Sequence, residues 1–348
     1  MAPTRVALAL GSGGARGYAH IGVIQVLEER GYEITSIAGT SMGAVVGGLH
    51  AAGQLDAYTE WVTGLTQRQV LRLLDPSITS PGVIRAQKIL AKVSTLLGGA
   101  EIEHLPIPFT AVATDLFARK EVWFERGPVD AAIRASMALP SVITPVVLHG
   151  RLLVDGGLLN PIPIAATSGA RADVTIAVSL SEEHHTLAGA TPAHESGGPD
   201  PTDEEPGGSV SRSAAQVLDS DMVRSITGWL GRDRGEPAGE VDTEAVEEIV
   251  GRLEEHLDEG KAEEAEEVEE EMYGELPPGL RTLDVMRLSL DAIQSVVTRY
   301  RLAGYPPDVL ITVPKASCGT LDFHRATEMI ELGRERALEA LDRASSSP

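Results

Sequence analysis

The sequence predicts an α/β domain. Two apolar, strand-like runs each pass through a glycine-rich turn straight into a helix-like run, and 348 residues leave room for one large core plus additions. Val6 to Leu10 reads as the first buried strand. It enters Gly11-Ser12-Gly13-Gly14-Ala15-Arg16-Gly17, then a helix-like stretch from Tyr18 to Arg30 with apolar residues at Ile21, Ile24, Val26 and Leu27. Ile34 to Ala38 is β-branched enough for a second buried strand. It enters Gly39-Thr40-Ser41-Met42-Gly43, and Ala44 to Ala52 continues in small and aliphatic residues.

A serine framed by glycines two residues away on each side is the pattern of a nucleophile elbow. A strand that turns directly into a helix pushes the serine into a strained backbone conformation. Side chains at Gly39 and Gly43 would collide there. The turn exposes the Ser41 hydroxyl at a helix N-terminus, where backbone N–H groups favour developing negative charge. The competing reading is a glycine-rich turn with an incidental serine.

The first glycine loop offers several N–H groups to an anion. As a dinucleotide fingerprint it fails: counted from Gly11 the third glycine position holds Arg16, and one residue later the first position is Ser12. As an oxyanion hole it fits, because adjacent strands would bring both loops together at their carboxyl ends. A third segment, Arg151 to Val154, is strand-like and runs into Asp155-Gly156-Gly157. Asp155 there is either a base at a strand end or a turn aspartate bonding its own backbone.

Gly13-Gly14-Ala15-Arg16-Gly17, Gly39-Thr40-Ser41-Met42-Gly43 and Asp155-Gly156-Gly157, in this order, resemble the patatin-like phospholipase family. Ala113 to Leu116, Ala132 to Pro140, Asp308 to Pro314 and the last helix around Asp322 to Gly333 look like further family segments, so the likeness covers about residues 5–180 and 281–340. It implies a three-layer α/β/α fold with a mainly parallel central sheet. It also implies a Ser–Asp dyad, with Ser41 as nucleophile and Asp155 as proton acceptor. Gly13, Gly14, Ala15, Arg16 and Gly17 are its expected oxyanion hole, Gly39 and Gly43 the elbow glycines, and Gly156 and Gly157 the supporting turn. The family's fuller pattern begins one residue earlier with glycine, where this chain has Ser12; the departure lies at the loop's edge and is expected to be tolerated. Arg16 is expected to brace the loop through backbone contacts rather than to touch a substrate phosphate.

A histidine base is the rival reading. His20 follows the glycine loop, His149 precedes the strand leading to Asp155, and His324 lies late in the chain in a helix-like segment, where a cap or packing role is expected. Asp115 and Asp173 are the alternative carboxylates, and Asp115 reads as a strand-end turn residue. No cluster has metal-ligand spacing, and neither metal nor cofactor is expected. His184-His185 reads as a solvated loop. Cys318, the single cysteine, excludes an internal disulfide and fits a reducing compartment. Aromatics make up only 4% of residues, so aliphatic packing dominates. No apolar stretch approaches the length of a membrane span, and the N-terminus lacks a basic region followed by a long apolar core. The expected location is the cytoplasm, with peripheral membrane association left open.

The formal charge of −22 sits in one segment. Residues 181–280 hold 28 Asp and Glu against 6 Lys and Arg, and the rest of the chain balances at 23 of each. This argues against nucleic acid as a partner. The domain expectation is therefore 1–181 and 281–348 as the two parts of the catalytic domain, interrupted by an acidic insertion at 182–280. The part from Thr186 to Gly208 reads as disordered. Two helical stretches follow, one carrying Ala214, Val217, Leu218, Met222, Ile226, Trp229 and Leu230, the other running from Thr243 to Tyr273. A solvated hairpin, a lid, or a docking arm for a basic protein partner are the readings of this insertion.

Two functions are carried forward. The first is a serine acyl hydrolase acting on a lipid or phospholipid ester, through an acyl-Ser41 intermediate. The second is a lipid- or protein-binding regulatory scaffold with weak or lost chemistry, kept alive by the acidic insertion.

Overall fold

The computed structural model describes residues 2–74, 87–140, 142–182 and 282–346. The expected acidic insertion, with its polar tract, its two helical stretches and His184-His185, lies outside the described residues except for Glu182. Met1–Leu187 and Arg281–Pro348 form one compact unit, to which every element below belongs.

A single mixed sheet carries the fold. It is built from β1 (Arg5–Leu10), β2 (Glu33–Thr40), β3 (Phe109–Asp115), β4 (Lys120–Phe124), β5 (Val146–Leu148), β6 (Arg151–Asp155), β7 (Val174–Glu182) and β8 (Val309–Pro314). The order β3-β2-β1-β7-β8 runs parallel throughout. β4 and β6 pair with β3 antiparallel, and β5 pairs with β6 antiparallel. The helices are α1 (Ala19–Glu29), α2 (Met42–Ala51), α3 (Leu55–Thr63), α4 (Gln67–Leu74), α5 (Gln87–Leu97), α6 (Val129–Ser136), α7 (Thr282–Gly304) and α8 (Ala326–Ser346).

The strand period of two sorts the side chains into layers. Val6, Leu8 and Leu10 of β1, Ile176 and Val178 of β7, and Ile311 and Val313 of β8 face one side. There they join residues of α1, α2, α3, α5 and α8 in the main core cluster. The intervening Ala9 and Ala177 face the other side, covered by Ile162, Ile164 and Leu302 of α7. Large residues on one face and alanines on the other give a thick and a thin helical layer around the sheet. The arrangement is three-layered and mainly parallel, as the sequence predicts. No helix among the described residues is long and apolar enough to cross a membrane.

α1 and α8 meet backbone to backbone. A Cβ on Gly22 would stand 2.0 Å from the Ile330 carbonyl oxygen, and one on Gly333 2.0 Å from that of Ala19. This contact matters to the site because α1 continues directly from the glycine loop. Gly333→Ala should therefore lower the free energy of unfolding by about 1–3 kcal/mol, the usual cost of overpacking. A urea titration measures this, and an unchanged midpoint would show that the two helices part freely.

Candidate active site

The site begins with a rule of strand pairing. β3 pairs with β4 over Ala111–Asp115, with β2 over Phe109–Val112, and with β6 over Ala113–Asp115. Both β2 and β6 overlap β4 in register, so both must lie on the opposite edge of β3, one after the other. Thr40, the end of β2, pairs with Val112, and Asp155, the end of β6, pairs with Ala113. Two strand ends meet head-on along one edge. The residue after Thr40 is Ser41, and it is thereby delivered to Asp155.

Ser41 holds φ 58° and ψ −121° and caps the N-terminus of α2. That left-handed φ is strained for a residue with a side chain. The elbow glycines are sterically required: a Cβ on Gly39 would lie 2.4 Å from the Gly43 carbonyl oxygen, and one on Gly43 2.2 Å from that of Leu10. The Ser41 amide donates to Ser136 Oγ at 2.8 Å, and Ser136 donates in turn to the Val112 carbonyl at 2.6 Å. Ser136 thus ties the elbow to β3 at the joint. Sequence reasoning placed Ser136 in a segment of interest but gave it no role.

Asp155 is 3% exposed. Its Oδ1 accepts the Gly157 amide at 2.7 Å, and the Ser41 hydroxyl lies beside the same carboxyl group. Burial pushes its pKa up from 3.8 to about 6, against the pull of the neighbouring Ser41 hydroxyl and the Gly157 amide. No cation contributes to that shift.

In the glycine loop, the amides of Gly11 and Ser12 donate to the carbonyls of Val178 and Pro161, at 3.0 and 2.9 Å. Ala15 corrects the sequence expectation: its amide donates to the Thr320 carbonyl at 2.9 Å, so it is spent in the fold and gives nothing to an oxyanion. Gly13 and Gly14 stand at the start of the 3-10 turn Gly14–Tyr18, ahead of its first internal hydrogen bond, and line the cavity. A Cβ on Gly17 would fall 2.3 Å from that of Met42, which shows how closely the loop abuts the elbow. The Arg16 guanidinium donates to the carbonyls of Leu180 at 3.1 Å, Cys318 at 3.0 Å and Lys315 at 3.3 Å, bracing the loop against the ends of β7 and β8.

Ser41 and Asp155 open onto a cavity of about 340 Å³. Met42, Val45, Val93, Met137, Leu139 and Ile143 are among its apolar walls, and Ser12, Gly13, Gly14 and Arg16 also line it. α7 contributes Leu290, Asp291, Gln294 and Thr298, with Asp291 paired to Lys315 at 3.2 Å. A few polar groups in a mainly apolar pocket suit a ligand with a long apolar arm.

The patatin-like phospholipase family model matches residues 8–167, which contain the glycine loop, the elbow and Asp155. An NTE family protein of Mycobacterium tuberculosis is 48% identical over 340 residues, covering 97% of this chain and 91% of that protein. The chain belongs to the patatin-like phospholipase family. This places it among lipid acyl hydrolases in general. Patatin-like phospholipase domain-containing protein 7 of Mus musculus is 31% identical over 188 residues, which is 52% of this chain and 14% of that protein. VipD of Legionella pneumophila aligns with a TM-score of 0.41 at 12% identity, over 99% of this chain and 67% of that one, too loose a likeness to assign anything.

The other candidates of this patatin-like chain lie away from the cavity. His20 is fully buried and donates from Nε2 to the Gly11 carbonyl at 2.8 Å; burial lowers its pKa to about 4. His149 is exposed in a turn. Among the described residues lining the cavity there is no histidine. Asp115 accepts the amides of Phe117 and Ala118 at 3.1 and 3.0 Å, and Asp173 pairs with Arg5 at 2.7 Å. No group of His, Cys, Asp and Glu among the described residues is placed to hold a metal.

The folded protein binds the Asp155 proton more tightly than the unfolded chain does. The stability this gives is full below about pH 4 and is lost as the pH rises through about 6. The loss runs at about 1.4 kcal/mol per pH unit between those values, roughly 3 kcal/mol in all. Asp155→Asn, which cannot ionise, should accordingly be more stable than the wild type at pH 8, by an amount that shrinks towards pH 4. Urea unfolding at both pH values tests this, and a variant less stable than wild type at pH 8 contradicts it.

Proposed function

We propose that the protein hydrolyses acyl esters of lipids or phospholipids with a Ser–Asp dyad, Ser41 as nucleophile and Asp155 as base. The observation that carries this reading is the meeting of the two strand ends, which sets the strained serine hydroxyl against a buried carboxyl group inside an apolar cavity.

As Ser41 Oγ attacks the ester carbonyl, Asp155 takes its proton. A carboxylate in the ordinary range is a weak base, and burial moves this one towards neutral pH, where a general base works best. The tetrahedral oxyanion faces the amides of Gly13 and Gly14 and the N-terminus of α2. A single oxyanion donor is typically worth about 3–4 kcal/mol, so this loop carries much of the catalysis. Collapse breaks the ester bond, and the alcohol leaves with the proton returned by Asp155. Water, deprotonated by the same carboxylate, then attacks the acyl-serine and restores Ser41. The apolar walls hold the acyl chain. The scaffold alternative rests on the acidic segment, outside the described residues, and no feature of the site favours it.

Turnover of a chromogenic ester series by the wild type, Ser41→Ala and Asp155→Asn tests the reading. Ser41→Ala should lose roughly 10,000-fold or more in kcat, and retention of more than a few per cent removes it as nucleophile. In the wild type, kcat/KM should rise with pH to a plateau through about pH 6, because only the ionised Asp155 accepts the proton. An Asp155→Asn protein with normal turnover would move the base elsewhere.

A further inference from the structure

Next to the dyad lies a polar cluster, none of whose residues lines the cavity and which has no part in the proposed chemistry. Asn160 is fully buried. Its carbonyl accepts the Thr40 hydroxyl at 3.0 Å, and its amide donates to the Gly156 carbonyl at 2.8 Å. Thr40 is the residue before Ser41, and Gly156 is the residue after Asp155. One residue's backbone therefore holds the neighbours of both reacting groups.

The side chain fixes where that backbone sits. Asn160 Nδ2 donates to Glu121 Oε2 at 2.8 Å, and Trp123 Nε1 donates to the same oxygen at 2.9 Å. Because a carboxylate only accepts, this bond also sets which end of the amide points to Glu121. The other carboxylate oxygen pairs with Arg301 of α7. Arg301 donates as well to the carbonyl of Leu159, the residue before Asn160, at 3.1 Å. Arg301, Glu121, Asn160 and Leu159 thus form a closed ring joining β4, α7 and the turn after Asp155. Charge-assisted bonds of this kind are stronger and more directional than neutral ones.

We propose that Asn160, held by Glu121 and Arg301, is a positioning residue that sets the separation and alignment of Ser41 and Asp155. The assignment rests on the dyad reading above. Without the Asn160 side-chain amide, the turn loses its direct bond to Glu121 and keeps only the link through Arg301. The joint between β2 and β6 can then relax along β3, where nothing else bonds Thr40 and Gly156 to a common residue among the described contacts. A misplacement of about 1 Å is enough to cost on the order of 100-fold in rate.

The test uses the full chain and a chromogenic ester, with Asn160→Ala, Glu121→Gln and the pair combined, beside Ser41→Ala. Glu29→Ala, which breaks a surface pair with Arg334, serves as the control for lost stability. The expected result is a fall in kcat of about 10–100-fold for Asn160→Ala, with KM within a few-fold of wild type. Glu121→Gln should fall in the same direction, and the double variant should be no worse than Asn160→Ala, because the two act through one chain of bonds. The acid limb of kcat/KM should move up, since a loosened Ser41 hydroxyl no longer pulls the Asp155 pKa down. Glu29→Ala should lower the melting temperature without changing kcat. Unchanged kcat in Asn160→Ala or Glu121→Gln, or a rise in KM alone, overturns the proposal while leaving the dyad intact. If Asn160→Ala does not fold, Glu121→Gln carries the same decision. Turnover retained by Ser41→Ala overturns the dyad reading itself.

Discussion

The site depends on the sharing of one edge of β3 by two strands. β2 occupies the first half of that edge and β6 the second, arriving from opposite directions. Parallel pairing brings the carboxyl end of β2 to Val112, and antiparallel pairing brings the carboxyl end of β6 to Ala113. Ser41 and Asp155 are more than a hundred residues apart in the chain and become neighbours because adjacent residues of β3 pair with Thr40, just before Ser41, and with Asp155 itself. Ser136 is bonded to Val112 and to the Ser41 amide, so even the helix after the hairpin is recruited to the same joint.

The joint is costly to hold. Ser41 keeps a left-handed φ, a strain of about 1–3 kcal/mol for a residue with a side chain. Asp155 keeps a buried carboxylate without a cation. The offset comes from elsewhere in the same body: the main cluster on the thick face of the sheet, where each fully buried aliphatic side chain contributes about 1.5–3 kcal/mol, and the close contact of α1 with α8. Stability is generated at a distance from the site and spent at it, the usual relation between a rigid scaffold and a strained functional turn.

What could be read from the sequence is what local sterics or period dictate. Gly39 and Gly43 declare the elbow because no side chain fits there, and the parallel strands declare themselves by apolar runs flanked by glycine turns. Asp155 reads locally as a turn aspartate, and the structure keeps that bond, to the Gly157 amide, beside the contact with Ser41; the two readings were never exclusive. Ala15 misled because the fate of its amide is decided by Thr320, near the other end of the chain. Ser136, Asn160 and Glu121 carry no local signal at all. Each is one polar residue in an ordinary segment, and its role exists only through a partner fixed by sheet register.

The protein contains its own comparison for what the lack of a cation partner among the described residues does to Asp155. Asp173 is paired with Arg5, and that guanidinium holds its pKa at about 2; Asp155, buried and unpaired with any cation, rises to about 6. A guanidinium beside Asp155 would relieve the burial cost and make the carboxylate a far poorer proton acceptor. Arg16 lines the same cavity and would be the natural partner, yet its guanidinium is bonded to three carbonyl oxygens, of Leu180 near the end of β7 and of Lys315 and Cys318 after β8. Those bonds absorb its charge in bracing the glycine loop. His20, on the helix that follows the glycine loop, is engaged with the Gly11 carbonyl, and burial lowers its pKa to about 4. With Arg16 and His20 tied to backbone oxygens and Lys315 paired with Asp291, Asp155 is the carboxylate at the cavity whose basicity has been raised, and this is the condition the proposed dyad needs.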